Sequence, residues 1–156
     1  MACCVGITFK RKNLLLYLTS NGGHTPVTKY SDFLSYSGHS ALGGNIKALT
    51  TLGEVVPHQY TLFMVNGCDT FSYVDPALAG KYQALNPNYS KDKFVDIITN
   101  AMPSYFIENK RSNMAVINAL LEKKKTYKEI LAEFDPYQKA VVTGEQDNRW
   151  PLEFWH

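Results

Sequence analysis

One histidine and one cysteine stand in matching sequence settings. His39 lies in "YSGHSALGGN", residues 36–45, just after an aromatic run, and Cys68 lies in "FMVNGCDTF", residues 63–71, just after an apolar one. A thiol attacks a carbonyl carbon only as its thiolate; an adjacent imidazole favours that form and later returns the proton to the leaving group. The reaction also needs backbone N–H groups facing the oxyanion that develops on the carbonyl. Gly38 before the histidine and Gly67 before the cysteine allow the tight loops that present such groups. The competing reading is structural, with Cys68 a small buried hydrophobe and His39 a turn residue.

Either use depends on the elements that carry the two residues. Residues 30–36 read as a strand, and residues 60–65, "YTLFMV", as a strand apolar enough to be covered on both faces. Residues 38–44 form a glycine-bearing loop, and residues 46–52 suit a short helix closed by Gly53. Upstream, residues 5–9 and 14–19 pair as a hairpin around a polar turn, followed by a loop over 21–26. Downstream, "DKFVDIIT", residues 92–99, is a strand candidate with helix as the alternative. Ser112 is set to cap a helix that puts Met114, Ile117 and Leu121 on one face. Thr126 and Glu129 make a capping box, and Tyr127, Ile130, Leu131 and Phe134 form the stripe of a core-facing helix that Asp135-Pro136 ends. Residues 141–143 are a last short strand.

This alternation predicts an α/β fold with a mainly parallel sheet flanked by helices, in one domain of 156 residues. Ligands of such sheets bind beyond the carboxyl ends of the strands, where His39 and Cys68 both fall. The segment between them holds one crossover, so their strands can be neighbours about 4.8 Å apart.

The pattern of an apolar strand ending in a Gly/His turn, a short crossover, and an apolar strand ending in small residue-Cys resembles the caspase–haemoglobinase fold of cysteine endopeptidases. "YSGHS" is similar to that family's strand-His-Gly block and "FMVNGCDTF" to its strand-Ala-Cys block; with "TGEQDN" the texture is closest to bacterial caspase-like proteins. The resemblance implies a cysteine endopeptidase acting on peptide or protein substrates without a cofactor. His39 would be its general base and acid, Cys68 its nucleophile, and the Cys68 N–H an oxyanion donor. The family places Gly directly after the histidine; here Gly38 precedes it and Ser40 follows. Metacaspases carry an aspartate two residues before the cysteine for basic side chains, and this chain has Asn66 there. Asn66, Asp69, Glu145 and Asp147 are the candidate pocket residues, although Asp69 beside the nucleophile resists a neighbouring anion and the other carboxylates also suit solvated turns. The fold implied is caspase-like with a shortened front: residues 1–29 a hairpin or arm, 30–148 the family-like core, and 149–156 an aromatic tail. The second functional reading is a catalytically silent caspase-like module that binds protein partners.

Composition narrows the classes. With 45% hydrophobic and 19% charged residues the chain is ordinary globular material, and a net charge of +2 without a basic stripe argues against nucleic acid. No apolar run approaches the roughly 20 residues that span a bilayer, and residues 14–18 are too short for a signal-peptide core. Cys3, Cys4 and Cys68 make a poor disulfide framework, which points to a cytoplasmic setting, with a secreted or periplasmic one left open if the amino terminus is incomplete. Cys3, Cys4, His24, His39, His58 and Cys68 lack paired ligand spacing, so no metal is expected. The amino-terminal sheet edge and the aromatic tail are the candidate surfaces for self-association.

Overall fold

The computed structural model describes residues 3–10, 13–19, 29, 31–44, 47, 51, 53–74, 76–122 and 125–144, the first two segments by their backbone. Six strands, β1 (Cys3–Lys10), β2 (Asn13–Thr19), β3 (Phe33–Ser37), β4 (Thr61–Asn66), β5 (Val95–Asn100) and β6 (Ala140–Thr143), form one sheet in the order β2-β1-β3-β4-β5-β6. Only β3–β4 and β4–β5 are parallel, whereas β1–β2, β1–β3 and β5–β6 are antiparallel. The expected mainly parallel sheet is therefore a mixed one with a parallel centre. The reason lies in the connections: β1 and β2 are too close in sequence for a crossover, and β6 starts beside the end of β5. There the Met102 and Ala101 amides donate to the Gln138 and Lys139 carbonyls at 3.1 Å, so the chain turns back.

Helices cover both faces. On one side α1 (Ala77–Leu85) sets Leu78, Ala79 and Tyr82 against Leu34, Tyr36, Phe63, Val65, Val95 and Ile97. On the other, α2 (Phe106–Glu122) and α3 (Tyr127–Leu131) set Ala115, Val116, Ala119 and Ile130 against Phe33, Leu62, Met64 and Ile98. All six residues of β4 are buried, as its unbroken apolar run requires. Residues 95–100 are a strand, which resolves the strand-or-helix alternative there.

α2 departs from expectation. It begins at Phe106, so Ser112 is a buried residue of its interior rather than its cap. Met114 and Leu121 are 43% and 54% exposed, while Ser112, Ala115, Val116 and Ala119 face the sheet. Small residues at this spacing let the helix approach closely; of the expected stripe, Ile117 is partly buried against the core, while Met114 and Leu121 face outward. The capping box is present as expected: Thr126 N–H donates to Glu129 Oε2 at 2.7 Å, which holds the Glu129 carboxyl below its ordinary value. The short 70–73 turn of 3₁₀ helix and α1 carried no clear sequence signal.

Beneath α3, the fully buried Asp96 carboxylate accepts hydrogen bonds from the Tyr60 and Tyr127 hydroxyls, both at 2.7 Å. Burial, then the neighbouring Tyr127 and the Asp96 charge, push the Tyr60 phenol far above its ordinary value, and burial raises that of Tyr82. A phenol whose folded value is raised stabilises the fold fully below about pH 10, the unfolded value, and that contribution is lost as pH climbs further. Absorbance titration at 295 nm is expected to show the Tyr60 and Tyr82 phenols ionising only together with alkaline unfolding. Smooth, reversible ionisation of all tyrosines in folded protein would contradict this packing.

Candidate functional site

The last paired residues of β3 and β4 are Ser37 and Asn66, and the ladder continues one step further, with Gly38 N–H donating to the Asn66 carbonyl at 3.0 Å. His39 and Cys68 each stand two residues beyond that pair, at the same end of adjacent parallel strands spaced about 4.8 Å apart. Both are exposed. The His39 ring meets the edge of Phe106, the first residue of α2, with centroids 5.4 Å apart and planes at 83°.

Gly38 and Gly67 are both buried where the two loops touch. A Cβ on Gly67 would run into the Gly38 carbonyl and lie 3.2 Å from Thr70 Cγ2. Gly67→Ala is expected to push the loops apart and to cost about 1–3 kcal/mol, as overpacking does, read as a fall in the urea midpoint. A midpoint equal to the parent's would show that the loops have room to part. Backbone strain gathers at the same place. Ala41, Leu42 and Gly43 follow Ser40 at φ of 49°, 52° and 86°, and Asp69 follows Cys68 at 51°. Left-handed backbone at residues with side chains is retained where surrounding contacts impose it, and it concentrates at functional loops.

The other candidates divide. Asn66 is 3% exposed on the α2 side of β4, where its Nδ2 donates to Asn109 Oδ1 at 3.0 Å, so it fastens the strand end to the helix instead of lining an open pocket. Ser40 is buried, and Asp69 is half-buried beside Cys68. Because β6 runs antiparallel, Thr143 pairs with Ile97 and the strand ends toward the start of β5, away from Cys68. Glu145, Asp147 and the aromatic tail lie outside the described residues.

A polar scaffold around the loops escaped sequence reading. Asn113 on α2 accepts from Ser35 Oγ and donates to Ser37 Oγ at 3.0 Å, tying β3 to the helix one turn beyond the Asn66–Asn109 bond. Asn100, at the end of β5 and 2% exposed, accepts from Gly67 N–H at 3.1 Å and returns a hydrogen bond from Nδ2 to the Gly67 carbonyl at 2.5 Å. Thr70 supports Asn100 at 2.8 Å, and Ser104 N–H adds a bond to the Gly67 carbonyl at 3.2 Å. The available signal was that β4 and β5 both end in asparagine followed by a small residue, "NG" and "NA".

Large apolar side chains surround the loops. Leu42, Phe71, Tyr105, Phe106 and Ile107 are exposed, and Tyr105 stacks on Tyr137 with centroids 5.9 Å apart. Among the described residues there is no group of three or more His, Cys, Asp or Glu able to hold a metal ion, and no helix is long and apolar enough to cross a membrane. Comparison with protein-family models, curated proteins and solved structures finds no match to this chain.

Proposed function

We propose that the protein is a caspase-like cysteine endopeptidase working through His39 and Cys68. The observation that carries this reading is the equivalent position of the two residues, each exposed two residues past the last β3–β4 pair. His39 takes the Cys68 thiol proton, and the thiolate sulfur forms a C–S bond to the scissile carbonyl carbon. The Cys68 N–H donates to the oxyanion. His39 then passes the proton to the leaving amine as the C–N bond breaks, leaving a thioester on Cys68. Water, deprotonated by His39, hydrolyses the thioester and restores the thiol. The exposed aromatic and aliphatic rim favours an extended peptide whose side chains near the cleaved bond are apolar.

One feature favours the second reading, a silent partner-binding module: Asp69 beside the thiol opposes a neighbouring negative charge. Alkylation separates the two. Near neutral pH iodoacetamide is expected to modify Cys68 about tenfold faster than Cys3 or Cys4, with His39→Ala removing that advantage, since reactivity follows thiolate content. Equal labelling of the three thiols, unaffected by His39→Ala, would leave the silent module as the better account.

A further inference from the structure

An oxyanion hole built from backbone amides works only if its peptide planes are held, because an amide that turns away donates nothing to the transition state. The plane before Cys68 is held from one side. The Gly67 carbonyl accepts from Asn100 Nδ2 at 2.5 Å, from Ser104 N–H at 3.2 Å and from Ser104 Oγ at 3.3 Å, that is, from the last residue of β5 and the segment just after it. In a trans peptide the next N–H points opposite to the carbonyl, so the Cys68 N–H points away from β5 and toward the side of β3. The preceding residue agrees: the Asn66 carbonyl faces β3, where it accepts from Gly38 N–H, and in an extended chain the N–H two residues on shares that direction.

The plane after His39 is held in the same way. The hydroxyl of Tyr36, 3% exposed, donates to the His39 carbonyl at 2.5 Å, which turns the Ser40 N–H the opposite way. Among the described residues neither the Cys68 N–H nor the Ser40 N–H donates to a backbone carbonyl. Two amides on adjacent loops thus remain available, each following a carbonyl that a buried side chain fixes.

Resting on the peptidase reading, we propose that Tyr36 and Asn100 are positioning residues that aim the Ser40 and Cys68 amides at one oxyanion. Ser40 N–H then supplies the second donor with no glycine after the histidine, because Tyr36 sets the plane that a glycine would otherwise be free to adopt. Asn100 does the same for Cys68 by gripping both polar groups of Gly67, with Thr70 locking the asparagine.

The test compares two reagents at Cys68, each read by peptide mapping. With p-nitrophenyl acetate, the sulfur forms a C–S bond to the carbonyl carbon, an oxyanion develops and collapses, and the C–O bond breaks to release p-nitrophenolate. Acetyl-Cys68 remains, and the thiol proton passes to His39 and then to solvent. With iodoacetamide the sulfur displaces iodide directly and no oxyanion forms. Tyr36→Phe, which removes one hydroxyl, and Asn100→Ala are each expected to lower the ratio of acylation to alkylation about tenfold or more, while alkylation stays within about twofold of the parent. Should Asn100→Ala fail to fold, Tyr36→Phe decides. An unchanged ratio in Tyr36→Phe, with alkylation still dependent on His39, overturns this inference and leaves the peptidase reading standing. Parent alkylation that His39→Ala leaves unchanged removes that reading, and this inference with it.

Discussion

Cys68→Ala is expected to lower peptide-bond hydrolysis about 10⁴-fold or more, and His39→Ala by a comparable factor, with the double variant no worse than either single one. The two side chains act as one unit in the proposed reaction: without the thiol no thioester forms, and without the imidazole the thiol and the leaving amine both lose their proton partner. Cys68 is exposed, so its truncation leaves the core intact, and the urea midpoint is expected to stay at the parent value. The measurement is the rate at which new amino termini appear in an unfolded protein substrate. Hydrolysis by Cys68→Ala at more than about a hundredth of the parent rate would assign the activity to another group, since the loss expected for a nucleophile is far larger. A parent protein that forms no new termini on a varied substrate pool would favour the silent module.

The largest expected effect on stability comes from the strand that delivers His39. Phe33 is fully buried on β3, pairs in register with Leu62, and packs in the cluster formed with Met64, Ile98, Val116, Ile130 and Phe134. Phe33→Ala is expected to cost about 3–5 kcal/mol, through lost burial and the cavity left behind. That is a large part of the roughly 5–15 kcal/mol holding a domain of ordinary stability together. Met114→Ala and Leu121→Ala, on the exposed side of α2, are expected to change stability by no more than about 0.5 kcal/mol. Urea unfolding of the three variants checks both sides of the contrast. A loss below about 1 kcal/mol for Phe33→Ala would mean that β3 is not anchored between these helices.

The parallel centre of the sheet was legible because its cause is local. Strand β4 is an apolar run bounded by turn residues, β3 and β5 are mixtures of apolar and polar residues, and the capping box at Thr126 pairs hydroxyl and carboxylate at a fixed spacing. The antiparallel return of β6 was not legible, since it depends on where Met102 and Gln138 meet after two helices have packed. The packed face of α2 was legible only at Ile117, for a related reason. Close approach to the sheet selects Ala115 and Ala119 over the bulkier Met114 and Leu121, and that selection is made by the tertiary contact. At the site, residue types gave His39 and Cys68, whereas Asn100 reaches the Gly67 carbonyl from 33 residues away and Tyr36, only three residues before His39, bonds its carbonyl through a loop bend that no residue pattern announces. Asn66, chosen for its place before the cysteine, belongs to that buried scaffold and fastens β4 to Asn109.

The pairing of His39 with Cys68 can be measured without any substrate. 1,3-Dibromoacetone alkylates a reactive thiol with loss of one bromide, and its second carbon then alkylates a nucleophile within a three-carbon reach, with loss of the other. Peptide mapping of the folded protein after this treatment is expected to recover one cross-linked species joining the Cys68 peptide to the His39 peptide, absent from His39→Ala. Cys68 carrying only a single-ended adduct, or bridged to a residue other than His39, would contradict the dyad.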